Sequence, residues 1–367
     1  MVCRNTFKRL MIVAIGIIMA GFVGRKAELN YLQHRFDLGK ASVCAICGDA
    51  RVGKTELVRK FCEDKPHIYI SGAPVLPSDN LDMISRVITE FSGITHDIED
   101  VEDIFLTLLD VRGDNQVVLV FDDFSTLADN FVGFPQFFNT FRTRMIEDTR
   151  IMVIVCDRTE THIGRVFNKM TLRSLKFKDC LQFHPDYTPH QHLMAYSIAG
   201  GCPAYHPFIG KSPEEALAIQ FLSGPSALNA EIDRILVPNP YPVTHYNKVL
   251  SIMASGTEAS GTILYRLKQE AMAFSVSKVL SDLEEKGVVK KVPSRDTRKE
   301  MYVFNNTLFR FYYTVVVPSM VQSGMRMEKI DLTAFTKRLD DYMEVIFKEV
   351  CEEHISATYP CEFIGKV

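Results

Sequence analysis

The segment that most constrains the fold is a glycine-rich loop between an apolar run and a helix-like run. It reads Gly48-Asp49-Ala50-Arg51-Val52-Gly53-Lys54-Thr55, with the spacing G-x-x-x-x-G-K-[S/T]. Strand-like Ala41–Cys47 precedes it, and helix-like Glu56–Cys62 follows it. Glycines let backbone N–H groups turn toward a phosphate, and the start of a helix adds partial positive charge. The spacing and its context therefore predict a phosphate-binding loop in a parallel α/β sheet.

Two residues of this loop carry specific chemistry, and a later strand completes the site. Lys54 is expected to reach the β- and γ-phosphates of ATP, while the Thr55 hydroxyl ligates Mg²⁺. Val117–Asp123 is a buried strand that ends in two carboxylates. We expect Asp122 to hold the magnesium through water and Asp123 to polarise the attacking water. Many ATPases place a glutamate there; because aspartate is one methylene shorter, slow hydrolysis is expected.

The surrounding pattern alternates strand-like and helix-like segments, which indicates βαβ units. Continuous apolar runs are typical of strands that are buried on both faces of a parallel sheet. The predicted strands are His67–Ser71, Val117–Phe121 and Arg150–Cys156, and the predicted helices are Asn80–Phe91, Val101–Val111 and Phe134–Glu147. The fold class is therefore α/β, a P-loop NTPase sheet followed by helices.

Composition narrows the setting. The 367 residues carry 42 Lys and Arg against 45 Asp and Glu, and this near-neutral balance excludes a uniformly basic polyanion binder. Nine scattered cysteines indicate a reducing compartment rather than a disulfide scaffold. Cys44 and Cys47 form a CxxC, but they lie in an apolar strand, so we interpret them as core residues rather than as zinc or redox ligands. His184, His190 and His192 lie close together in a segment interpreted as a surface loop.

The chain start is unusual for such a composition. Leu10–Val23 is a run of 14 apolar residues behind Arg4, Lys8 and Arg9. It is shorter than the roughly 20 residues of a spanning helix, and it is similar to a signal peptide. The alternatives are an upstream extension with the natural start at Met19, a signal-like anchor, or a packed N-terminal element.

Downstream, three helix-like segments precede a hairpin pattern. The segments are Tyr246–Gly256, Thr262–Lys268 and Ser275–Gly287, followed by Val288–Val292 and Met301–Phe304. This order predicts a winged helix–turn–helix. The wing is rich in bases, and its candidate DNA contacts are Lys290, Lys291, Arg295 and Arg298. The third helix also exposes acids, so a solvated, charge-rich hairpin used for protein docking is the alternative.

Several motifs together resemble the archaeal-type ATPases, a branch of the STAND class within the AAA+-like P-loop NTPases. Phe22–Leu29 is similar to the opening F-V-G-R-x-x-E-L, and Tyr196–Tyr205 is similar to Y-x-x-x-G-G-x-P-x-Y. The resemblance implies that Val23, Gly24 and Arg25 flank the adenine and that Pro203 closes over it. It also implies that the G-x-P turn couples the nucleotide state to the following domains.

The chain departs from this family after the strand Ile151–Val155. The family usually has Gly-Ser there, whereas this chain has Cys156-Asp157-Arg158-Thr159. The sensor and arginine-finger roles are therefore unassigned, with Arg158 and Arg165 as alternatives. Leu308–Tyr313 resembles an aromatic strand of the family, with a core role expected for its rings. Tyr342–Cys351 resembles the helix that opens a nuclease-like domain, and Glu344 lacks the motifs that would make it a nuclease residue.

These patterns predict five regions: an N-terminal extension (1–19), a P-loop core (20–185), a helical lid (186–240), a winged helix (241–318) and the start of a nuclease-like domain (319–367). The main hypothesis is a cytoplasmic, slowly hydrolysing ATPase that uses ATP and Mg²⁺, with nucleotide-binding residues that run through Glu56. The alternative is a DNA-binding regulator in which ATP is a structural ligand. A protein partner and an oligomer stay open, and no membrane contact is expected.

Overall fold

The computed structural model describes residues 21–111, 116–146, 150–159, 161–163, 168–224, 226–237, 240–256, 260–269, 274–293 and 300–359. The chain divides into two compact units. One is Gly24–Arg173, called here the P-loop unit; the other is Ser174–Val367 together with the first 23 residues, called the helical unit. Leu10–Met19, Arg165, Arg295 and Arg298 lie outside the described residues, so the predictions for them stay predictions.

The P-loop unit is built on a five-stranded sheet in the order β2-β3-β4-β1-β5. All neighbouring strands pair in parallel. The bounds are β1 Ser42–Cys47, β2 His67–Ser71, β3 Val117–Asp122, β4 Ile151–Asp157 and β5 Asn168–Thr171. Every residue of β3 and β4 is buried, as the continuous apolar runs predicted. The predicted α/β class is confirmed.

Among the described residues, α1 Lys26–Asp37 precedes β1. The helices between the strands are α2 Lys54–Cys62, α3 Pro77–Ser92, α4 Val101–Asp110, α5 Phe124–Asn130 and α6 Phe134–Ile146. Asp100 caps α4 by accepting a hydrogen bond from the Asp103 N–H. Phe121 on β3 contacts the rings of Phe105, Phe124 and Phe138. Burying each ring contributes on the order of 2–3 kcal/mol to the stability of the fold. The cluster therefore holds α4, α5 and α6 against the end of β3.

The helical unit carries most of the remaining helices. Its longer elements are α8 Pro189–Ala199, α10 Ala227–Ile235, α11 Val243–Ala254, α12 Ser260–Gln269, α13 Val276–Glu285 and α16 Leu332–Thr358. Its shorter helices are α7 Phe177–Cys180, α9 Pro213–Leu217, α14 Thr307–Phe311 and α15 Val317–Gln322. In the part of the chain that the structure describes, no helix has the length and apolar character needed to cross a membrane.

Within this unit, α11, α12 and α13 precede an antiparallel hairpin. Strand β6 (Val289–Pro293) pairs with β7 (Glu300–Phe304), with Val289 opposite Phe304. The apolar residues predicted on one face of α13 are all buried, which fixes that helix against the core. The order of three helices and a hairpin is the one expected of a winged helix–turn–helix, which stays a prediction here.

One local prediction was wrong. The aromatic segment Leu308–Tyr313 is helical rather than a strand, because Asn306 accepts a hydrogen bond from the Leu308 N–H and starts α14. Aromatic residues favour strands only weakly, so a good helix cap can decide the outcome. The expected core role of the rings is seen, since Phe309 and Phe311 are fully buried.

The histidine-rich segment also differs from its interpretation as a surface loop. His184 is buried, and its ring stacks on Tyr187 with centroids 4.4 Å apart. His184 Nε2 lies 3.3 Å from Nδ1 of the buried His206. His190 and His192 lie in α8 rather than in a loop. Sequence spacing hid this cluster because His206 is 22 residues away from His184.

Candidate functional site at the carboxyl edge of the sheet

The loop from Gly48 to Gly53 joins β1 to α2 at the carboxyl edge of the sheet. Its backbone takes positive φ at Arg51 (65°) and at Gly53 (95°). A Cβ on Gly48 would lie 2.4 Å from the Leu172 carbonyl oxygen, so only glycine fits there. The compact turn thus requires the glycines that the motif supplies.

Lys54 begins α2 with its side chain buried in this loop. Its Nζ donates to the carbonyl oxygens of Gly48, at 2.7 Å, and Asp49, at 3.0 Å. Burial lowers the pKa of Lys54, while the nearby Asp122 and Asp123 carboxylates oppose that effect. The ammonium group is therefore held inside the loop, next to the acidic end of β3.

Asp122 is buried where β3 ends, and three donors surround its carboxylate. Oδ2 accepts from the Thr55 hydroxyl at 2.7 Å and from the Tyr69 hydroxyl at 2.6 Å. Oδ1 accepts from the Asp123 N–H at 3.0 Å. Burial, and then the charge of Asp122, raise the pKa of Tyr69 well above its usual value, so its proton stays on the phenol. The structure thus brings together the hydroxyl and the carboxylate that the sequence paired.

Asp123 follows in a left-handed backbone conformation, with φ of 50°. Its side chain is exposed beside Asp122. Partial desolvation and then the negative charge of Asp122 raise the pKa of Asp123, and the charges of Lys54 and Arg158 oppose this. Aspartate adopts this conformation more readily than most non-glycine residues do, and here it places Asp123 directly before α5.

Asp157, the last residue of β4, was not singled out by the sequence. It is buried, and Oδ1 accepts from the Ser125 hydroxyl at 2.8 Å and from the Arg158 N–H at 2.7 Å. Its Oδ2 is buried and has no hydrogen-bond partner among the described residues. The Gly48 N–H donates to the Asp157 carbonyl, which ties β4 to the phosphate loop. The sequence did contain a signal for Asp157, because this acidic residue directly follows the apolar run of β4.

Residues just before α1 also contact the phosphate loop. Gly24 and Arg25 both have positive φ, 70° and 60°. Arg25 Nη2 donates to the carbonyl oxygens of Val52, at 2.8 Å, and Arg173, at 2.7 Å, and its Nη1 pairs with Glu28 at 3.1 Å. The buried guanidinium therefore supports the backbone of the phosphate loop. Val23 directly precedes the P-loop unit in the sequence.

Comparisons with known proteins found similar sequences and a similar fold. No protein-family model matches the chain. An uncharacterized protein of Methanocaldococcus jannaschii is 22% identical over 354 residues, covering 91% of this chain and 77% of that protein. An uncharacterized ATP-binding protein of the same organism is 46% identical over 50 residues, which are 14% of this chain and 81% of that protein.

Among solved structures, the Walker-type ATPase of Pyrococcus abyssi has a similar fold. Its TM-score is 0.60 at 13% identity, over 80% of this chain and 97% of that chain. The chain belongs to an AAA+-like P-loop family that includes an ATP-binding relative. The sequence resemblance to a P-loop family is thereby confirmed, while its winged-helix and nuclease-like parts stay predictions.

Two further residues were predicted for the nucleotide site. Glu56 lies in the first turn of α2, and its side chain is 58% exposed and pairs with Arg59 at 3.3 Å. Pro203 belongs to the helical unit and begins a short 3₁₀ helix, Pro203–Phe208. Before it, Gly201 packs so closely that a Cβ would lie 1.9 Å from the Leu175 carbonyl oxygen. The Gly-Gly pair therefore shapes a turn that no larger residue fits.

The hairpin presents part of the basic set predicted as DNA contacts. Lys290 and Lys291 on β6 are exposed. Lys291 lies 3.8 Å from Glu284, and Lys286 lies 3.3 Å from Asp282. Acids of α13 thus offset some of the positive charge of the hairpin.

The two cysteines of the CxxC are both buried in β1, as expected of core residues. Burial raises the pKa of the Cys44 thiol to about 11, which disfavours the thiolate that metal binding and redox chemistry need. Over the described ranges, no group of three or more His, Cys, Asp or Glu is arranged to hold a metal ion.

Proposed function

We propose that this P-loop ATPase binds ATP with magnesium and hydrolyses it slowly. The observation that carries the proposal is the 2.7 Å hydrogen bond between Thr55 and Asp122, beside the buried ammonium group of Lys54. This pair lies 67 residues apart in sequence, yet it meets at the mouth of the loop that the motif predicts. Similarity to an ATP-binding protein supports the choice of ATP.

The donor set suits magnesium. A threonine hydroxyl and a carboxylate are hard oxygen ligands of the type that Mg²⁺ prefers, with water completing its shell. Thr55 and Asp122 would hold the ion. When bound, it would neutralise charge on the phosphates.

Lys54 would supply the positive charge for the phosphates. Its ammonium group is buried and donates to two carbonyl oxygens, and it forms no salt bridge with a carboxylate of the described residues. An anionic phosphate is a stronger partner for a buried ammonium group than a carbonyl is. The loop N–H groups and the start of α2 would add to this attraction.

Asp123 would act as the base that polarises the attacking water. Its side chain is accessible, and its raised pKa makes it a better proton acceptor than an ordinary aspartate. Its reach is one methylene shorter than that of glutamate, so we expect slow turnover. This fits a nucleotide switch of the STAND type better than a fast hydrolase.

The switch would act on the downstream regions proposed from sequence: a lid in 186–240, a winged helix in 241–318 and the region from 319 onward. The Gly200–Pro203 turn is the proposed coupling element, because Gly200 and Gly201 allow a backbone shape that larger residues would block. Switching elements of this kind respond to contacts with the γ-phosphate.

Titration with a fluorescent ATP analogue tests the proposal. In Lys54→Ala, we expect the affinity to fall by at least about 100-fold, because a charged contact to phosphate is lost. The matched control is Lys60→Ala on the same helix, whose ammonium group pairs with Glu63 and is 42% exposed. Affinity in Lys54→Ala equal to that of the control would refute the assignment.

A second candidate is a DNA-binding regulator in which ATP is a structural ligand. The exposed Lys290 and Lys291 on β6 favour it, and the Lys291–Glu284 pair weakens it. A salt-dependent mobility shift with duplex DNA that is lost in Lys290→Glu/Lys291→Glu would support this function. Without a shift at low salt, the candidate is abandoned.

A further inference from the structure

Tyr69 is the donor at the candidate magnesium site that the sequence did not indicate. It lies on β2, opposite Val120 of β3 in the parallel register. Its hydroxyl donates to Oδ2 of Asp122 at 2.6 Å, the same oxygen that Thr55 contacts. The ring is half-buried, and the guanidinium of Arg59 lies 5.7 Å from its centroid. The hydrogen bond to Asp122 holds the hydroxyl, and the Arg59 guanidinium packs over the ring.

The hydrogen bonds to the Asp122 carboxylate determine which of its acceptor positions remain available to a ligand. A carboxylate offers about four acceptor positions. Thr55 and Tyr69 take the two on Oδ2, and the Asp123 N–H takes one on Oδ1. No further donor from the described residues bonds to Oδ1, which leaves one position there for a water or an ion. The Tyr69 hydroxyl thus prevents Asp122 from rotating, and it directs the remaining lone pair.

We propose that Tyr69 is a positioning residue for magnesium, which acts by orienting the Asp122 carboxylate. This inference rests on the proposed function, since it assumes that the site takes magnesium with the nucleotide. It goes beyond it by assigning a residue on β2 to the metal half of the site. A role in merely joining β2 to β3 is a weaker account, because five paired positions already connect these strands.

The test separates nucleotide affinity from its magnesium dependence. For the full chain and for Tyr69→Phe, the affinity for a fluorescent ATP analogue is measured in EDTA and across a series of free Mg²⁺ concentrations. We expect the half-saturating Mg²⁺ concentration to rise by about tenfold in the variant, a typical cost of losing a group that orients a metal ligand. The affinity in EDTA should stay unchanged, because the Tyr69 hydroxyl donates to Asp122 and not to the phosphate loop.

The matched control is Tyr31→Phe, which removes a hydroxyl from a half-buried tyrosine on α1 of the same unit. It should leave both measurements at their wild-type values. If Tyr69→Phe shows the wild-type Mg²⁺ dependence, the inference fails while the proposed function stands. An equal loss of affinity with and without Mg²⁺ would mean a structural role and would also overturn it. A wild-type chain that binds no nucleotide overturns both.

Discussion

The carboxyl edge of the P-loop unit and the histidine pair of the helical unit bury polar side chains in different ways. At the carboxyl edge of the P-loop unit, Lys54, Asp122 and Asp157 carry charge, and Oδ2 of Asp157 has no partner among the described residues. In the helical unit, His184 and His206 form a hydrogen-bonded pair that ends on the Gly200 carbonyl oxygen. Burial lowers the pKa of His184 to about 4 and that of His206 to about 3, so this pair is neutral.

This difference separates a candidate chemical site from a group of residues that only stabilises the fold. Charged groups with open acceptor positions need an outside partner, whereas a closed neutral network needs none. The backbone shows a related difference: of the described non-glycine residues with positive φ, Arg25, Arg51 and Asp123 lie in the P-loop unit, and Met325 lies in the helical unit. Strain at non-glycine residues concentrates where function requires a particular geometry. We therefore interpret the carboxyl edge as the chemical site and the histidine pair as the support of the Gly-Gly turn.

The largest expected effect tests the turn that the histidine pair supports. In Gly201→Ala, the new Cβ would lie 1.9 Å from the Leu175 carbonyl oxygen, so the backbone must move. We expect the free energy of unfolding to fall by about 3 kcal/mol or more, measured by denaturant unfolding. The control is Gly261→Ala in α12, where a Cβ meets nothing within 4 Å. Equal stabilities for the two variants would show that the turn is not tightly packed.

A second prediction concerns the pH dependence of stability, which tests the histidine pair of the helical unit. Because the folded pKa of His206 lies below its unfolded value of about 6.5, the unfolded state binds more protons between these values. Stability should therefore fall as pH drops below about 6.5, by about 2 kcal/mol at pH 5 from His206 alone. In His206→Gln, which keeps an amide donor for Gly200, this pH dependence should be reduced. An unchanged pH profile would remove the histidine pair from the support role.

Local patterns predicted much of this molecule, because the signals were adjacent in sequence. The phosphate loop is flanked by its own strand and helix, and Asp122 directly follows an apolar run. Both could be found without knowing the three-dimensional structure. The parallel sheet also followed from continuous apolar strands, since burial on both faces leaves no alternation.

The missed residues depend on contacts between distant segments. Tyr69 meets Asp122 across 53 residues, and Ser125 meets Asp157 across 32. Nothing in the local sequence marks a tyrosine on a strand as a partner of a carboxylate. The helix at Thr307–Phe311 was missed because one capping side chain, Asn306, outweighed the strand preference of aromatic residues.

Phosphate release from ATP tests the central claim most directly, with the wild-type chain and Asp123→Asn compared in the presence of Mg²⁺. We expect slow, Mg²⁺-dependent release by the wild type, which declines at acid pH as Asp123 takes up a proton above the pH usual for aspartate. Asp123→Asn should bind the nucleotide normally and release phosphate about 100-fold more slowly. Equal rates for the two proteins, or no Mg²⁺-dependent release by the wild type, would contradict the assignment of this edge as an ATP-hydrolysing site.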